Sequence, residues 1–480
     1  MSNPALQVYG GDEISAVVID PGSYSTNIGY SGTDNPQLNI PSSYGLYTDG
    51  SKKGHKSFND QFMTLPRPDF EVKPILENGC VVDWDAAQEQ WTWAVAEQLK
   101  FGSLDGVPAF LTEAIWNSET NRKKSLEVLL EGMDFEACYI APTATCVSFA
   151  MGRPTCLVVD IGHDASSVCP VIDGMTLSKS STRNFLAGKF LNTLIEKHLK
   201  PREIIPLFRV AQRRPEFKPR SFDFTVDRSV DNFVNSRGFL QECKETMLQT
   251  APSDSPKFET ELDSMSKRSI EAPWGENIIF DSRTRFSFAE QLFNPSESLM
   301  PEGWPRSNGI IETWHNDYIP MKRAKPNVGN KDKESTVDPT PVAEGTKSGD
   351  SAPAINENGK RSLESTSESE NSLAGLNDLV ATSIMATDVD LRATLAHNLV
   401  VTGGTSSIPG LTDRLVAELN KKLPALKFRI LTSGHSKERQ TRAWLGGSIL
   451  SSLGTFHQLW VGKQEYEEVG ADRLLKDRFR

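Results

Sequence analysis

Two stretches of the chain repeat one pattern, and this repeat limits the fold more than any other feature. Residues 15–32 read SAVVIDPGSYSTNIGYSG, and residues 155–174 read TCLVVDIGHDASSVCPVIDG. Each begins with a β-branched run, passes through Asp-x-Gly into a second run, and ends in a turn with glycine. This pattern predicts a β-hairpin with an aspartate at the end of a buried strand. The repeat therefore predicts a duplicated, two-lobed α/β architecture.

The two hairpin turns suit a polyphosphate ligand. Backbone N–H groups in a glycine-containing turn form a nest for anions, and two nests across a cleft would grip phosphates from both sides. Asp20 and Asp160 would then offer hard oxygen ligands to Mg²⁺ (or Ca²⁺), with water completing the coordination. For one hairpin alone, an ordinary turn or capping role of the aspartate is the better interpretation. The pair favours the phosphate site.

A third element fits the same cleft. Residues 398–420 read NLVVTGGTSSIPGLTDRLVAELN, which predicts a short apolar strand, a Gly-Gly-Thr turn and an amphipathic helix. Leu411, Leu415 and Leu419 would share the apolar face of that helix. Backbone donors at a helix start bind anions and polar ligand edges, and Gly403 and Gly404 would let a flat ring approach the backbone. Many helix starts contain glycine, so this motif is weak when taken alone.

Composition excludes several other classes of protein. The chain has 480 residues with 52 Lys and Arg against 63 Asp and Glu, a net charge of −11. That balance argues against sequence-independent DNA binding, which needs a basic face, but it is compatible with a basic protein partner. No apolar run approaches the roughly 18 residues of a membrane helix, and the first residues lack the pattern of a secretory signal. Six cysteines without a CxxC pair predict reduced, buried thiols in a reducing compartment.

Two segments differ from the rest of the chain. Residues 325–372 contain no Phe, Trp or Tyr and few aliphatic residues, which predicts a disordered insertion. Residues 200–237 are polar, with four prolines, several arginines and lysines, and interleaved phenylalanines. Basic and aromatic residues together can stack on nucleic acid. The alternative, which the acidic chain favours, is a surface insertion that is docked by its own phenylalanines.

Beyond these patterns, the amino-acid sequence resembles that of the actin family. The resemblance is carried by LENGCVVDWD (76–85), by VPAFLTEAIWNSETNRKKSLEVLLEG (107–132) and by WLGGSILSSLGTFHQLWVGKQEYEEVG (444–470), and it covers most of the chain. It implies an actin-like ATPase fold, with two lobes that are each built on a duplicated mixed β-sheet flanked by helices, around a nucleotide cleft. Residues 1–170 would form the first lobe, with about 446–480 packing back on it, and residues 171–445 the second.

The resemblance also assigns a nucleotide site. It implies ATP with Mg²⁺ (or Ca²⁺), and metal-holding carboxylates at Asp20 and Asp160. The residues that it matches to the two phosphate hairpins, the ribose and the adenosine loop are Gly22, Ser23, Tyr24, Gly162, His163, Asp164, Ala165, Gly188, Lys244, Glu245, Gly403, Gly404, Thr405 and Gln440.

Several positions depart from the family pattern. Thr143 and Ser167 occupy the places of actin's water-orienting Gln and of a His, and neither side chain has the reach or the proton chemistry of the residue that it replaces. Asn27, Ile408 and Gln440 replace a phosphate-contacting Lys, an aromatic residue near the base, and a Lys. The sequence therefore predicts an ATP-binding pseudo-ATPase, since phosphoryl transfer depends on positioning.

Within the family, the insertion and the altered pocket are most similar to fungal nuclear members. This similarity implies a nuclear subunit of chromatin-remodelling and histone-acetyltransferase complexes, paired with monomeric actin on a helix of a large scaffold subunit. The acidic charge balance and the lack of a membrane-length apolar run predict no strong direct DNA binding and no membrane. Filaments are not expected, because residues 41–71 and the text after residue 296 do not resemble the assembly segments of actin. The cluster MKRAKP (321–326) is either an import signal or ordinary surface charge.

The sequence leaves three other functions open. The first is an active ATPase that switches conformation with its nucleotide, with His163 as the base near neutral pH; the plainer interpretation of His163 is a hydrogen-bonded turn residue. The second is a module that binds histones through its acidic surface. Sugar-kinase activity, known in the wider superfamily, fits least, because the text resembles actin over most of its length.

Overall fold

The computed structural model describes residues 15–100, 104, 106–252, 256–307, 309, 311, 373–432 and 435–479. Its strands are, in chain order, β1 (Val17–Pro21), β2 (Ser25–Tyr30), β3 (Leu38–Pro41), β4 (Ser43–Tyr47), β5 (Lys56–Ser57), β6 (Phe70–Pro74), β7 (Leu76–Glu77), β8 (Cys80–Val81), β9 (Pro108–Glu113), β10 (Ala137–Pro142), β11 (Cys156–Ile161), β12 (Ser166–Ile172), β13 (Met175–Thr176), β14 (Thr182–Asn184), β15 (Val210–Gln212), β16 (Lys218–Pro219), β17 (Arg268–Glu271), β18 (Asn277–Phe280), β19 (Leu399–Thr402), β20 (Ile430–Leu431) and β21 (Val461–Gly462).

The α-helices flank these strands. In chain order they are α1 (Asp60–Met63), α2 (Trp84–Trp93), α3 (Glu119–Glu127), α4 (Thr143–Ala150), α5 (Gly188–Leu199), α6 (Arg228–Arg237), α7 (Phe239–Met247), α8 (Pro256–Leu262), α9 (Ser282–Glu290), α10 (Leu376–Met385), α11 (Val389–His397), α12 (Leu411–Lys422), α13 (Ser436–Gln440), α14 (Arg442–Ser452), α15 (Lys463–Val469) and α16 (Ala471–Asp477). None of the helices in the described ranges is long and apolar enough to cross a bilayer.

The first large sheet has the strand order β21-β10-β9-β1-β2-β3. Its centre is the antiparallel hairpin β1–β2, and β9 runs parallel to β1 on the other side. Successive residues of β1 face opposite sides of a sheet, and here both sides are covered. Val17 and Ile19 belong to one apolar cluster, whereas Val18 belongs to another. Burial on both faces explains why this strand is an unbroken apolar run.

The second large sheet repeats this plan. Its strand order is β13-β12-β11-β19-β20, with β14 paired to β12. The hairpin β11–β12 is again antiparallel, and β19 runs parallel to β11. Val159 faces one apolar cluster and Val158 another, as in β1. The sequence repeat is therefore a structural repeat, and the predicted α/β class, with mixed sheets flanked by helices, is confirmed. We call the first sheet with its helices the first lobe, and the second sheet with its helices the second lobe. Because β11 and β12 lie in the second sheet, the second lobe begins before the boundary that the sequence predicted at residue 170.

Helices α4 and α14 form the core that the two sheets share. One apolar cluster contains Val18 of the first sheet, Val158 of the second sheet, and Trp444 of α14, which is fully buried. The two helices touch at Gly446, where an added Cβ atom would lie 1.7 Å from the Cys146 carbonyl oxygen. Only glycine allows this close approach.

The segment 200–237 is docked on the first-lobe side. A small sheet, β5-β4-β6, follows β3 in the chain, and Phe70 of β6 packs in one cluster with Phe208 and Phe233. The docking interpretation of this segment is thus supported by two of its phenylalanines, while Phe217 is exposed. The insertion predicted at 325–372 and the basic cluster 321–326 lie outside the described residues.

The cysteines behave as their apolar surroundings predict. All six are free thiols, and five of them are buried, the exception being the partly buried Cys80. Burial raises the pKa of the Cys80 thiol to about 11, so even this cysteine stays protonated near neutral pH.

Candidate functional site

A cavity of about 490 Å³ lies between the two hairpin turns and is lined from both lobes. Fifteen of the sixteen residues predicted for the nucleotide and metal site line it, and the sixteenth, Gly188, abuts it through Gly162, Lys244 and Thr405. The fifteen are Asp20, Gly22, Ser23, Tyr24, Asp160, Gly162, His163, Asp164, Ala165, Lys244, Glu245, Gly403, Gly404, Thr405 and Gln440. The fold therefore brings together residues that lie more than 400 positions apart in the chain.

The two turns share one backbone geometry. The amide of Gly22 donates to the carbonyl of Ser25 at 3.2 Å, and the amide of Gly162 donates to the carbonyl of Ala165 at 3.0 Å. In both turns, therefore, the glycine that lies two residues after the aspartate donates its amide to the carbonyl three residues further along the chain. Both turns reach the cavity, as two facing phosphate nests would require.

The two aspartates hold equivalent register positions. Asp20 lies opposite Asn27 in the first hairpin, and Asp160 lies opposite Ser167 in the second. The Thr112 hydroxyl donates to Asp20 Oδ1 at 2.5 Å and Asn27 Nδ2 donates to Oδ2 at 3.2 Å, so Asn27 holds the carboxylate in place. These bonds fix the direction in which the carboxylate points.

The electrostatics of this carboxylate pair suit a cation. Burial raises the pKa of Asp20, and burial together with the charge of Asp20 raises the pKa of Asp160 to about 6. Among the described residues no group of three or more His, Cys, Asp or Glu side chains could hold a metal ion. The chain would thus supply two carboxylates, and a hydrated Mg²⁺ that takes its other ligands from water and phosphate fits such a donor set.

Lys244 is a buried cation in the cavity wall. The residue is 6% exposed, and its ammonium donates one long bond, 3.4 Å, to the carbonyl of Gly188. Burial lowers its pKa to about 8, and the charge of Glu245 opposes that shift. A Cβ atom at Gly188 would lie 3.3 Å from Nζ and 2.8 Å from Thr405 Oγ1. Glycine therefore leaves the space around Lys244 open to a polar or anionic ligand.

The glycine turn after β19 forms the opposite wall. Gly403 has φ +86°, and an added Cβ atom would lie 2.3 Å from Asp160 Oδ1. Thr405 Oγ1 donates to the carbonyl of Gly162 at 2.7 Å, which ties this turn to the second phosphate hairpin. A 3₁₀ turn, Gly404–Ser407, follows the two glycines.

The start of the predicted helix differs from the sequence interpretation. Helix α12 begins only at Leu411, because Pro409 and the left-handed Gly410 separate it from the glycine turn. The donors at the cavity therefore belong to the 3₁₀ turn and not to the helix start. The amphipathic face itself is confirmed, since Leu411, Leu415 and Leu419 are fully buried.

Two predicted phosphate-hairpin residues use their side chains to hold a loop. The Asp164 carboxylate accepts the amide of Asn78 at 2.8 Å, and the Ser23 hydroxyl accepts the amide of Gly79 at 3.0 Å. Asn78 and Gly79 both have positive φ, so they form a tight turn whose amides point at the two hairpins. Trp116 Nε1 donates to the Asn78 carbonyl at 2.7 Å from the other side.

His163 faces the first hairpin across the cavity. Its ring lies 5.2 Å from the ring of Tyr24, centroid to centroid. Burial, with nearby cations opposing protonation, holds the pKa of His163 well below its ordinary value. The imidazole is therefore neutral near neutral pH and a weak base, which weighs against the role that an active ATPase would give it.

The two positions that depart from the hydrolytic pattern also line the cavity. Thr143 is the first residue of α4, and its hydroxyl donates to the Glu113 carbonyl at 3.0 Å. Ser167 is held in register opposite Asp160. Both side chains are short hydroxyls, and the hydroxyl of Thr143 is fixed to the wall by its hydrogen bond.

Sequence reasoning missed some of the lining residues. Gly79, Trp116 and Arg439 line the cavity, and Arg439 donates from Nη1 to the Ser406 carbonyl at 2.8 Å within the glycine-turn wall. Asn-Gly at 78–79 is a strong turn signal that could have been used. Trp116 and Arg439 carry no such signal, because only the fold brings them to the cavity.

Comparisons with known proteins agree with this architecture. The family model described as Actin matches residues 11–479. The chain is 64% identical over 482 residues to Actin-related protein 4 of Eremothecium gossypii and 62% identical over 493 residues to that of Saccharomyces cerevisiae, with 100% of each chain covered. It is 34% identical over 484 residues to Actin-related protein 4 of Schizosaccharomyces pombe, with 97% of each chain covered. The chain belongs to the actin family.

Proposed function

We propose that this chain binds ATP with Mg²⁺ in the cavity and keeps it as a structural ligand, with little or no hydrolysis. The actin family binds ATP with a divalent metal. One observation carries the proposal: matched hairpins each present an aspartate, Asp20 and Asp160, to one cavity, while the short hydroxyl side chains of Thr143 and Ser167 occupy the positions that hydrolysis would need. These features support the binding of a nucleotide, and the two substituted positions support slow hydrolysis.

Different groups of the chain would hold different parts of the bound nucleotide. The two turns would receive the phosphates, Asp20 and Asp160 would hold the hydrated metal, and Lys244 would face the negative charge of the nucleotide. Mg²⁺ would neutralise phosphate charge. A ligand that binds only the folded chain stabilises it by mass action, so ATP would support the fold without being consumed.

The first test is the identity of the bound nucleotide. The full-length protein is incubated for hours with Mg-ATP, freed of unbound nucleotide and denatured, and the released nucleotide is separated by chromatography. We expect ATP at about one per chain. Recovery of ADP would support the alternative of an active, conformation-switching ATPase, and an empty cavity would contradict ATP binding.

A gain-of-function variant sharpens this test. Thr143→Gln combined with Ser167→His restores the two side chains of the family pattern, and we expect phosphate release to rise about tenfold or more. Thr145→Gln, on the same helix but hydrogen bonded to Thr176, is the matched control and should leave phosphate release unchanged. A double variant as slow as the original chain would show that these two positions do not limit hydrolysis.

We further propose a nuclear role, in which the chain is a subunit of chromatin-remodelling and histone-acetyltransferase complexes. There it would pair with monomeric actin on a helical segment of a large scaffold subunit and contact histones. This proposal rests on the family resemblance and on three exposed apolar residues near the end of the chain. Ile449, Leu453 and Leu459 are exposed, whereas the neighbouring Trp444 and Phe456 are buried core residues. The exposed three are apolar anchors that a partner helix would cover.

The surface is tested in cells by immunopurification of the tagged chain. We expect Leu453→Glu to lose most of the co-purified actin, because it places a charge in the apolar contact. Val389→Glu, at a residue that is 71% exposed elsewhere, should retain it. Equal recovery of actin with both variants would contradict this placement of the partner, and a pulldown with free histones tests the histone contact separately.

A further inference from the structure

A second cavity lies in the second lobe, close to the end of helix α7. Its volume is about 340 Å³, which is large enough for a small ligand or a few side chains. Its apolar wall comes from Phe258, Met265 and Phe286, and the rings of the two phenylalanines lie 5.1 Å apart, centroid to centroid. Pro252 and Ser266 also line the cavity and are exposed, so it opens onto the surface.

Arg285 of α9 is a buried cation in the wall of this cavity. The residue is 3% exposed, and its guanidinium donates to three neutral acceptors on separate segments. These are the Met247 carbonyl at 2.9 Å, Gln249 Oε1 at 3.2 Å and the Ser266 carbonyl at 3.4 Å. The three bonds hold the guanidinium in one orientation. They use three of its five N–H donors, so within the described part of the chain one N–H on each Nη atom stays available to a further acceptor.

Arg268 brings a second guanidinium to the same cavity. It is the first residue of β17, it is exposed, and its Nη1 donates to the Thr246 carbonyl at 3.1 Å. Burial lowers the pKa of Arg285, and the charge of Arg268 lowers it further. No carboxylate among the described residues opposes that shift. The cavity therefore holds two positive charges that face each other without a negative charge to balance them.

The carboxylates of the neighbouring segments are used elsewhere. Asp263 forms an ion pair with Arg283, with Nε and Oδ1 2.7 Å apart, and Asp281 accepts the amide of Thr284 at the start of α9. Neither aspartate lines the cavity. A buried charge without a counter-charge costs free energy, which an anion from outside would recover. The cavity thus combines a site for an anion with an apolar wall beside it.

We propose that this cavity binds a short segment of a partner protein in which a carboxylate side chain lies next to a large apolar one. Arg285 and Arg268 would donate to the carboxylate, since guanidinium groups bind planar carboxylates through paired N–H bonds. The apolar side chain would pack on Phe258 and Phe286. An inorganic anion would leave this apolar wall uncovered, whereas the opening to the surface admits side chains that another chain carries. The inference does not depend on the proposed nucleotide site.

The test measures the binding of short labelled peptides to the full-length protein by fluorescence anisotropy. In the first peptide two glutamates flank a phenylalanine, in the second glutamines replace the glutamates, and in the third serine replaces the phenylalanine. We expect the second and third peptides to bind about tenfold more weakly than the first, because each lacks one half of the contact. Equal binding of the first two peptides would overturn the proposal, as would a Kd above about 1 mM for the first.

A variant at the rim assigns the binding to this cavity. Arg268→Gln removes one of the two charges at an exposed position that the fold should tolerate, and we expect the affinity for the first peptide to fall about tenfold. Lys267→Gln is the matched control, because it removes the same charge from the adjacent exposed residue, which does not line the cavity. It should leave the affinity unchanged. Equal loss in both variants would indicate general attraction between charges and would overturn the site.

Competition and amide hydrogen exchange separate the other occupants. Inorganic phosphate should displace the first peptide only when it is in large excess; displacement at equal concentration would make the cavity a simple anion site and overturn the peptide. We expect the first peptide to slow amide exchange in segments 247–249 and 266–268 and to leave α12 unchanged. Slower exchange elsewhere without slower exchange in these two segments would place the peptide on another surface and contradict the proposal.

Discussion

At the scale of single residues, Lys244 should make nucleotide binding depend on pH. Burial holds its pKa at about 8, so the ammonium loses its proton as the pH rises through that value. An anionic nucleotide favours the charged form, and binding therefore weakens above pH 8. We expect affinity for ATP to fall about tenfold between pH 7 and pH 9, measured by calorimetry in the presence of Mg²⁺. Lys244→Gln should bind ATP more weakly at pH 7, and its affinity should change little with pH. If the affinity of this variant depends on pH as it does in the original protein, another group is responsible for the titration.

Gly403 and Gly404 are adjacent, yet they should respond differently to the same substitution. Gly403 has φ 86° and ψ 151°, a region that only glycine occupies without strain, and its Cβ atom would strike Asp160. We expect Gly403→Ala to lower the free energy of unfolding by about 2 kcal/mol or more and to abolish the thermal shift with Mg-ATP. At Gly404 the nearest atom to an added Cβ would be 3.5 Å away, so Gly404→Ala is the matched control. If both variants lowered the temperature of thermal unfolding equally, the backbone at residue 403 would not be constrained to the conformation of glycine.

Prediction from sequence succeeded best for residues whose position is fixed by a local pattern. Asp20 and Asp160 follow buried strands at matching steps of a repeat, so their common placement could be predicted. The use of the Asp164 carboxylate could not, since its partner Asn78 lies 86 residues earlier and meets it only in the folded chain. The local sequence pattern predicts where a strand ends and its turn begins, whereas a contact across the cavity depends on how the two sheets pack together.

At the scale of elements, the contact of α4 with α14 depends on Gly446. Alanine normally favours a helix over glycine by about 1 kcal/mol, but here its Cβ atom would lie 1.7 Å from the Cys146 carbonyl oxygen. The helices would have to separate within the shared core, which costs about 3 kcal/mol or more. We expect Gly446→Ala to lower the midpoint of urea unfolding markedly, and Gly454→Ala, in open space, to change it little. A Gly446→Ala variant as stable as the original would mean that the helices can move apart freely.

The elements themselves were predictable to different degrees. Hairpins β1–β2 and β11–β12 follow from alternating apolar runs around a glycine turn, because both signals are local. The sequence predicted that the glycine turn at 403–404 leads into an amphipathic helix, but it assigned the backbone donors to the start of that helix, whereas Pro409 and Gly410 separate α12 from the glycine turn. The docking of Phe208 and Phe233 onto β6 depends on packing between distant segments, so the sequence could only suggest it.

At the scale of the whole molecule, ATP should couple the two lobes because its phosphates and its nucleoside meet different parts of the chain. The phosphate turns come one from each lobe, whereas Gly188, Lys244 and the turn at Gly403 all belong to the second lobe. ATP is therefore expected to bridge the lobes, and adenosine to contact only the second. At a concentration 100-fold above Kd, a ligand adds about 2.7 kcal/mol to stability, which corresponds to about hundredfold slower exchange of amides that open with the site.

This bridging is measured by amide hydrogen exchange of the full-length protein, free, with Mg-ATP, and with adenosine. Mg-ATP should slow exchange in both hairpins, β1–β2 and β11–β12, whereas adenosine should slow it chiefly in β11–β12. The comparison of the two ligands separates bridging by phosphate from general stabilisation, since adenosine occupies the same cavity without reaching the first turn. If Mg-ATP protects the second hairpin alone, the phosphates do not engage the first turn and the matched Asp-x-Gly repeat has only a structural role. If Mg-ATP protects both hairpins from exchange, the Asp-x-Gly repeat is the feature through which a single ligand binds both lobes.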